Sequence, residues 1–356
     1  MSEQGSLPIK AKKHYKSLDG LRGIAAIAVV VFHFMEIIAP DYRDSFIAHA
    51  YLAVDFFFCL SGFVVAYAYD DRLANIGKKT FFKRRLIRLQ PLVIIGAIIG
   101  LLAFIFDPFS NLSNQFTSTQ IICMLLSSAL LFPYPIVPER YLNLFHYNPP
   151  TWSLFWEYIA NIVYAVVLVK APRIVLWFIF FISAGLLTWE SYQTGHLASG
   201  FGGDNFWAGG IRVLFSFNMG LLLYRSKFRI GSGLPFWILA LLLCLVFFVP
   251  YTDNIQPFYD PLIVIFYFPL IISLCIAGNR DKTGTERIAK WLGEISYPLY
   301  MIHYPFIWLF YSYVEKHNPS LSEMSLITGG GTLLLILIAH LVLTKIDEPI
   351  RRYLQR

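Results

Sequence analysis

Apolar stretches of similar length recur along this chain and constrain it more than any other feature. They occupy residues 24–35, 52–69, 91–106, 152–169, 174–189, 234–250, 261–277, 295–312 and 326–344. Crossing about 30 Å of hydrocarbon as a helix takes about twenty predominantly apolar residues. Only helices and closed barrels can satisfy their backbone groups in lipid, and barrel strands are short and alternating. These runs do not alternate. Only 14% of the residues are charged, against about a quarter in soluble domains. The chain reads as an all-α, polytopic helical membrane protein, one domain over residues 1–356.

Lysine and arginine in short loops mark the cytoplasmic side. They gather at Lys10–Lys16, Lys78–Arg88, Lys170 and Arg173, Arg225–Arg229, Arg280–Lys290 and Arg351–Arg356. Alternation predicts about ten transmembrane helices, residues 209–224 among them, with both termini cytoplasmic and residues 1–16 a polar, basic N-terminus. Residues 119–133 resist this count, because a crossing there would turn every later basic loop outward. Fifteen residues are short for a span, so 119–150 is predicted to fold at the outer face or to re-enter from it. The polar start leads straight into a span and does not read as a cleavable signal peptide. The cysteines, Cys59, Cys123, Cys244 and Cys275, lack metal or redox spacing and read as small buried hydrophobes. No metal is expected. The net charge of +7 reads as topology, not as a nucleic-acid footprint, and membrane lipids are the surroundings.

Ionisable residues inside spans are costly, face the bundle interior and mark function. Arg22 and His33 are eleven residues apart, about 16 Å along one helix face. Asp55 opens the next span, at the level of His33. A carboxylate beside an imidazole orients one ring nitrogen and raises the basicity of the other; the plainer role for Asp55 is a helix N-terminal cap. Glu36, one turn past His33, is the alternative partner. Ser153 and Glu157 share a helix face, predicted at the outer end of their span, where capping is again the plain reading. Arg84, Arg85 and Arg88 precede the third span. Three guanidiniums suit a phosphate-rich ligand, although topology alone also explains basic residues there. A basic mouth, a face from Arg22 to His33 and an outer His–Asp pair together describe a path across the membrane.

The stretches "LDGLRGIAAIAVVVFHF", "VDFFFCLSGFVVA", "FFKRRLIRLQPL", "TWSLFWEYIANIVYA" and "LGEISYPLYMIHYP", with the closing "DEPIRRYL", resemble the acyltransferase family 3 membrane proteins in order and spacing, from about Tyr15 to Tyr353. The resemblance implies a bacterial inner-membrane O-acyltransferase. Such an enzyme moves an acyl group, commonly acetyl, from cytoplasmic acyl-CoA (acetyl-CoA) to an extracytoplasmic glycan or lipid-linked saccharide. It implies that His33 is the base of an arginine–ten residues–histidine motif with Arg22. It also implies that Arg84, Arg85 and Arg88 face the CoA phosphates. Trp152, Ser153, Leu154 and Glu157 match a further motif, and Tyr297, Tyr300 and His303 a late one. Gln90 stands where a tyrosine is usual before Pro91, and "YIANIVY" after Glu157 is a variant run. No hydrolase-like domain is expected after the membrane unit, and acceptor choice is then expected of this unit or of a partner.

On this reading His33, held by Asp55, deprotonates a sugar hydroxyl that attacks the thioester. Ser153, Trp152 or Tyr297 is the candidate oxyanion donor, and Glu157 binds acceptor hydroxyls. His303 fits helix-to-helix hydrogen bonding as well as chemistry. Direct transfer and a transient acyl-histidine both fit the residues. The rival class is a proton-coupled transporter of an organic anion or sugar, against which stand the lack of an internal repeat and the crowding of polar motifs into the first half. A receptor or lipid-binding scaffold is a third reading, and it needs no His33.

Overall fold

A computed structural model describes residues 15–227, 230–231, 233–277 and 283–356. Of the predicted basic clusters, Lys10, Lys12, Lys13, Arg229, Arg280 and Lys282 lie outside the described residues. The apolar runs fold as helices. The first three are α1 (Lys16–Ile38), α2 (Ala53–Tyr69) and α3 (Leu73–Ile105). The short α4 (Ser118–Leu130) precedes α5 (Thr151–Val166), α6 (Arg173–Thr194), α7 (Phe206–Ser226) and α8 (Phe236–Phe247). A π-helical turn at Ile263–Tyr267 joins α9 (Gln256–Leu262) to α10 (Phe268–Ile276). The next two, α11 (Thr283–Ile302) and α12 (Tyr304–His317), meet at His303. Finally α13 (Leu321–Val342) runs through a second π-helical turn into α14 (Glu348–Leu354).

Among the described residues, seven spans are long and apolar enough to cross a bilayer, which makes the chain an integral membrane protein. The others are shorter or more polar. The third run differs from its expected form. The arginines do not precede a helix but belong to α3, which continues without a break from Lys78 past Pro91 to Ile105; its single non-helical residue is Gly77, at φ +76°.

Two close helix pairs organise the bundle, and glycines make them. Between α2 and α7, a methyl group on Gly62 would sit 2.1 Å from the Phe217 carbonyl oxygen, and one on Gly220 would sit 2.1 Å from that of Cys59. Between α1 and α11, a methyl group on Gly23 would lie 2.4 Å from the Leu292 carbonyl oxygen. Small residues let backbones approach, and in lipid that packing replaces the hydrophobic drive that water supplies to soluble cores. Consequently α1 rests chiefly on α11, and α2 chiefly on α7.

The basic ends of α1, α3, α7 and α11 lie together. Arg225 reaches Asp70 (2.7 Å) and the carbonyl oxygens of Leu168 and Ala171, and Lys16 reaches Glu286 (2.6 Å). At the opposite end, Thr117 and Gln120 cap α4 reciprocally, and the helix then runs back along α3. Its Ala129 carbonyl accepts from Gln90 Nε2 at 2.6 Å, and its Ile121 carbonyl from Tyr147 Oη at 3.1 Å. Leu131, in the left-handed region at φ +58°, ends it. The chain then turns and returns to Asn148, whose Nδ2 donates to the Met301 carbonyl oxygen at 2.8 Å.

Candidate active site

One face of α11 and α12 carries Gly293, Tyr297, Tyr300, Tyr304, Trp308 and Tyr311 at spacings of three or four residues. Three cavities lie against that face in series. At the basic end is a mouth of about 780 Å³ between α3, α11 and α14, lined by Arg22, Lys83, Arg84, Arg88, Asp347 and Arg351, among others. It leads to a neck of about 120 Å³ bordered by Arg22, Arg85, Arg88, Ser153, Glu157 and Tyr297. Beyond lies a chamber of about 470 Å³ that holds His33, Glu36, Trp152, Arg212, Tyr304 and Trp308.

Arg22 enters the mouth from the first turns of α1. Its Nε donates to Ser296 Oγ and its Nη2 to the Gly293 carbonyl oxygen, each at 2.8 Å, with Asp19 at 3.4 Å. Arg351 is paired with Asp347 at 2.5 Å. Arg84 and Arg88 have no ion-pair partner among the described residues. These two remain free to meet an anion.

Arg85 does not join them. It is buried, and its Nη2 donates to Glu157 Oε1, which also accepts from Ser61 Oγ at 2.7 Å. Arg85, expected on phosphates, and Glu157, expected on acceptor hydroxyls, are thus paired with each other in this structure. Each lies in the neck and satisfies the other, because α3 and α5 cross there. Tyr297 is also committed, its hydroxyl donating to the Leu89 carbonyl oxygen at 2.6 Å. The Ser153 hydroxyl shares a hydrogen bond with the Tyr300 hydroxyl at 2.9 Å and lies 2.9 Å from the Pro150 carbonyl oxygen.

In the far chamber His33 Nδ1 meets Glu36 Oε2 at 2.6 Å, and Tyr42 Oη donates to Glu36 Oε1 at 3.2 Å. With Nδ1 engaged, Nε2 is the nitrogen left for chemistry. The imidazole stacks on His303 with ring centroids 5.4 Å apart, and the edge of Tyr304 packs at 4.8 Å. His303 donates from Nδ1 to the Tyr300 carbonyl oxygen at 2.9 Å, at the joint of α11 and α12. It is a buried neighbour of the His33 ring.

The expected contact between His33 and Asp55 does not form. Asp55 is fully buried and accepts from Arg212 Nη2 at 2.6 Å and from its Nε at 3.2 Å. The same guanidinium donates to the carbonyl oxygens of Ser199 (2.7 Å) and Tyr51 (3.0 Å) and lies over the Trp152 ring at 5.2 Å. The physical reason is the close α2–α7 pair, which presents Asp55 to α7 and not to α1. Arg212 escaped the sequence reading, although a lone arginine inside residues 209–224 is itself the signal of a buried polar site.

The loop that follows α4 walls the chamber. There Arg140 is buried, its guanidinium 4.5 Å from the centre of the Trp308 ring, and burial pulls it down to about 10. Burial, and with it the Arg140 charge, holds His146 well below its ordinary range. Among the described residues no cluster of His, Cys, Asp and Glu is able to hold a metal ion.

A family model described as an acyltransferase domain matches residues 15–342. The peptidoglycan O-acetyltransferase OatA of Listeria monocytogenes is 25% identical over 369 residues, which take in 96% of this chain and 56% of OatA. Protein 2 in the picA locus of Rhizobium radiobacter is 35% identical over 157 residues, 42% of this chain and 79% of that protein. The chain thus spans about half the length of OatA. No solved structure matches it. With the match covering nearly the whole chain, the protein belongs to the acyltransferase family 3.

Proposed function

We propose that this protein is a membrane O-acyltransferase that carries an acyl group, acetyl in the simplest case, from cytoplasmic acetyl-CoA to a hydroxyl of an extracytoplasmic or lipid-linked glycan. The observation that carries this reading is the series of cavities. It begins at Arg84 and Arg88, which have no ion-pair partner among the described residues, passes Ser153 and Tyr297, and ends at His33 held by Glu36. We place the basic end in the cytoplasm by the positive-inside rule, with ten crossings, α4 re-entrant and both termini inside, in a bacterial inner membrane. The whole of residues 1–356 then acts as one catalytic unit.

Arg84 and Arg88, with Arg22 behind them, take the CoA phosphates, and the pantetheine arm enters the neck. The Arg85–Glu157 pair and Ser61 offer donors and acceptors to its amides. The chamber is rich in aromatic rings, a surface suited to the C–H faces of a sugar. His33 Nε2 removes the proton of the acceptor hydroxyl while that oxygen bonds to the thioester carbon. The C–S bond breaks, and the imidazolium returns its proton to the departing thiolate. Glu36 orients the ring and stabilises its cationic form. Base assistance of this kind contributes about 10²–10⁴-fold.

The test is turnover of labelled acetyl-CoA by purified, reconstituted protein, wild type against His33→Ala, with CoA binding measured in both. Release of CoA that the substitution abolishes, with binding retained, supports the reading. Undiminished turnover in the variant refutes the role of His33, and absence of CoA binding in both proteins favours a carrier.

A further inference from the structure

The three cavities are not equally joined. The mouth and the neck share Arg22, Arg88 and Tyr297 along their boundary. The neck and the far chamber have a single lining residue in common, Tyr300. Its hydroxyl shares the 2.9 Å hydrogen bond with Ser153 Oγ and lies 3.4 Å from the Pro150 carbonyl oxygen, so it is held at the start of α5. Phe57 of α2 meets its ring edge-on, with centroids 5.7 Å apart, and His303 lies 5.9 Å away on the side of His33. A side chain from α11 thus spans to α5 between α2 and His303, at the boundary of the neck and the chamber.

We infer that Tyr300 is the residue that decides between a sugar hydroxyl and water as acyl acceptor. It does so by partitioning the donor thioester in the neck from the solvent of the outer chamber. The inference rests on the donor and acceptor sides proposed above. A thioester exposed to a general base and to water is hydrolysed: the water oxygen bonds to the acyl carbon, the C–S bond breaks, and the water proton passes through His33 to the thiolate. The products are a carboxylic acid and free CoA. Excluding water until the acceptor is seated prevents that side reaction. Phe57, Phe58, Leu60, Val64 and Leu154 form an apolar stretch of the neck wall beside its charged side chains, and the Tyr300 ring lies between that stretch and the chamber. Opening requires the ring to leave Ser153, the contact that an acceptor filling the chamber at Pro150 and Trp152 is placed to disturb.

The experiment reads the partition directly and the chemistry separately. Val64→Cys places a thiol in the neck, and right-side-out vesicles are treated with a membrane-impermeant thiol reagent, with the chain lacking that substitution as the background. Labelling is expected to be absent with Tyr300 or with Tyr300→Phe, which keeps the ring. It is expected to appear with Tyr300→Ala and with Tyr300→Ser, the second opening variant. In parallel, Tyr300→Ala is expected to release CoA from acetyl-CoA without any acceptor about tenfold faster than wild type. Equal labelling in all backgrounds overturns the partition, and so does acceptor-independent CoA release that Tyr300→Ala leaves unchanged in an enzyme that turns over acetyl-CoA. Labelling as expected with no acetyl-CoA use by any variant keeps the partition and refutes the transferase reading instead.

Discussion

Arg212–Asp55 in the far chamber and Arg85–Glu157 in the neck are the same chemical pair in different surroundings. In the first, the side chains are 2% and 0% exposed, and the guanidinium also donates to two backbone carbonyls. In the second they are 7% and 19% exposed, and Arg85 Nε has no partner. One pair is closed on itself and ties α2, α7 and the loop before α7 together. The other faces a cavity with capacity to spare. Burial and unused hydrogen-bonding capacity, not the identity of the residues, separate a structural ion pair from one available to a ligand.

That contrast can be broken most severely at the closed pair. Asp55→Ala leaves a buried guanidinium uncompensated, and loss of one partner of such a pair costs about 3–5 kcal/mol; unfolding in detergent should shift downward accordingly. Asp55→Ala with Arg212→Met should recover much of that loss, which a double-mutant cycle reads. Next in size, His33→Gln should lower kcat by about 10²–10⁴-fold with the melting temperature unmoved, because the imidazole lies at a cavity wall. Glu36→Gln should cost less, about tenfold in kcat, since the amide still accepts from Nδ1 but no longer stabilises the cation. At the open pair, Glu157→Gln keeps an acceptor for Arg85 and should cost less stability than Asp55→Ala while raising KM for the donor; a loss as large as that of Asp55→Ala would erase the distinction. Smallest of all, Arg84→Ala should raise KM for acetyl-CoA a few-fold and flatten its salt dependence, leaving kcat unchanged in steady-state assays.

What the sequence disclosed and what it withheld divide along a physical line. Helices were legible because each apolar run carries its own evidence of burial in lipid, and α4 stood out because its length does not suit a crossing. The Glu36–His33 contact was legible too, since residues three apart on a helix meet. Partners drawn from different helices were not. Asp55 was assigned to His33 because short connections make neighbours, yet Gly62 and Gly220 bring α2 onto α7, and Asp55 goes to Arg212. The Arg85–Glu157 contact between α3 and α5 was likewise not legible. Tyr300 lay inside a recognised motif, but only the arrangement of cavities on both sides of its ring gives it a role.

The mouth and the chamber open at opposite ends of the bundle, and the consequence is kinetic. On the proposed function, two substrates that enter by separate doors do not exclude each other. Free CoA should compete with acetyl-CoA for Arg84 and Arg88 and leave the affinity for the glycan untouched. Initial-rate lines for the two substrates should then intersect, as they do when both are bound before either product departs.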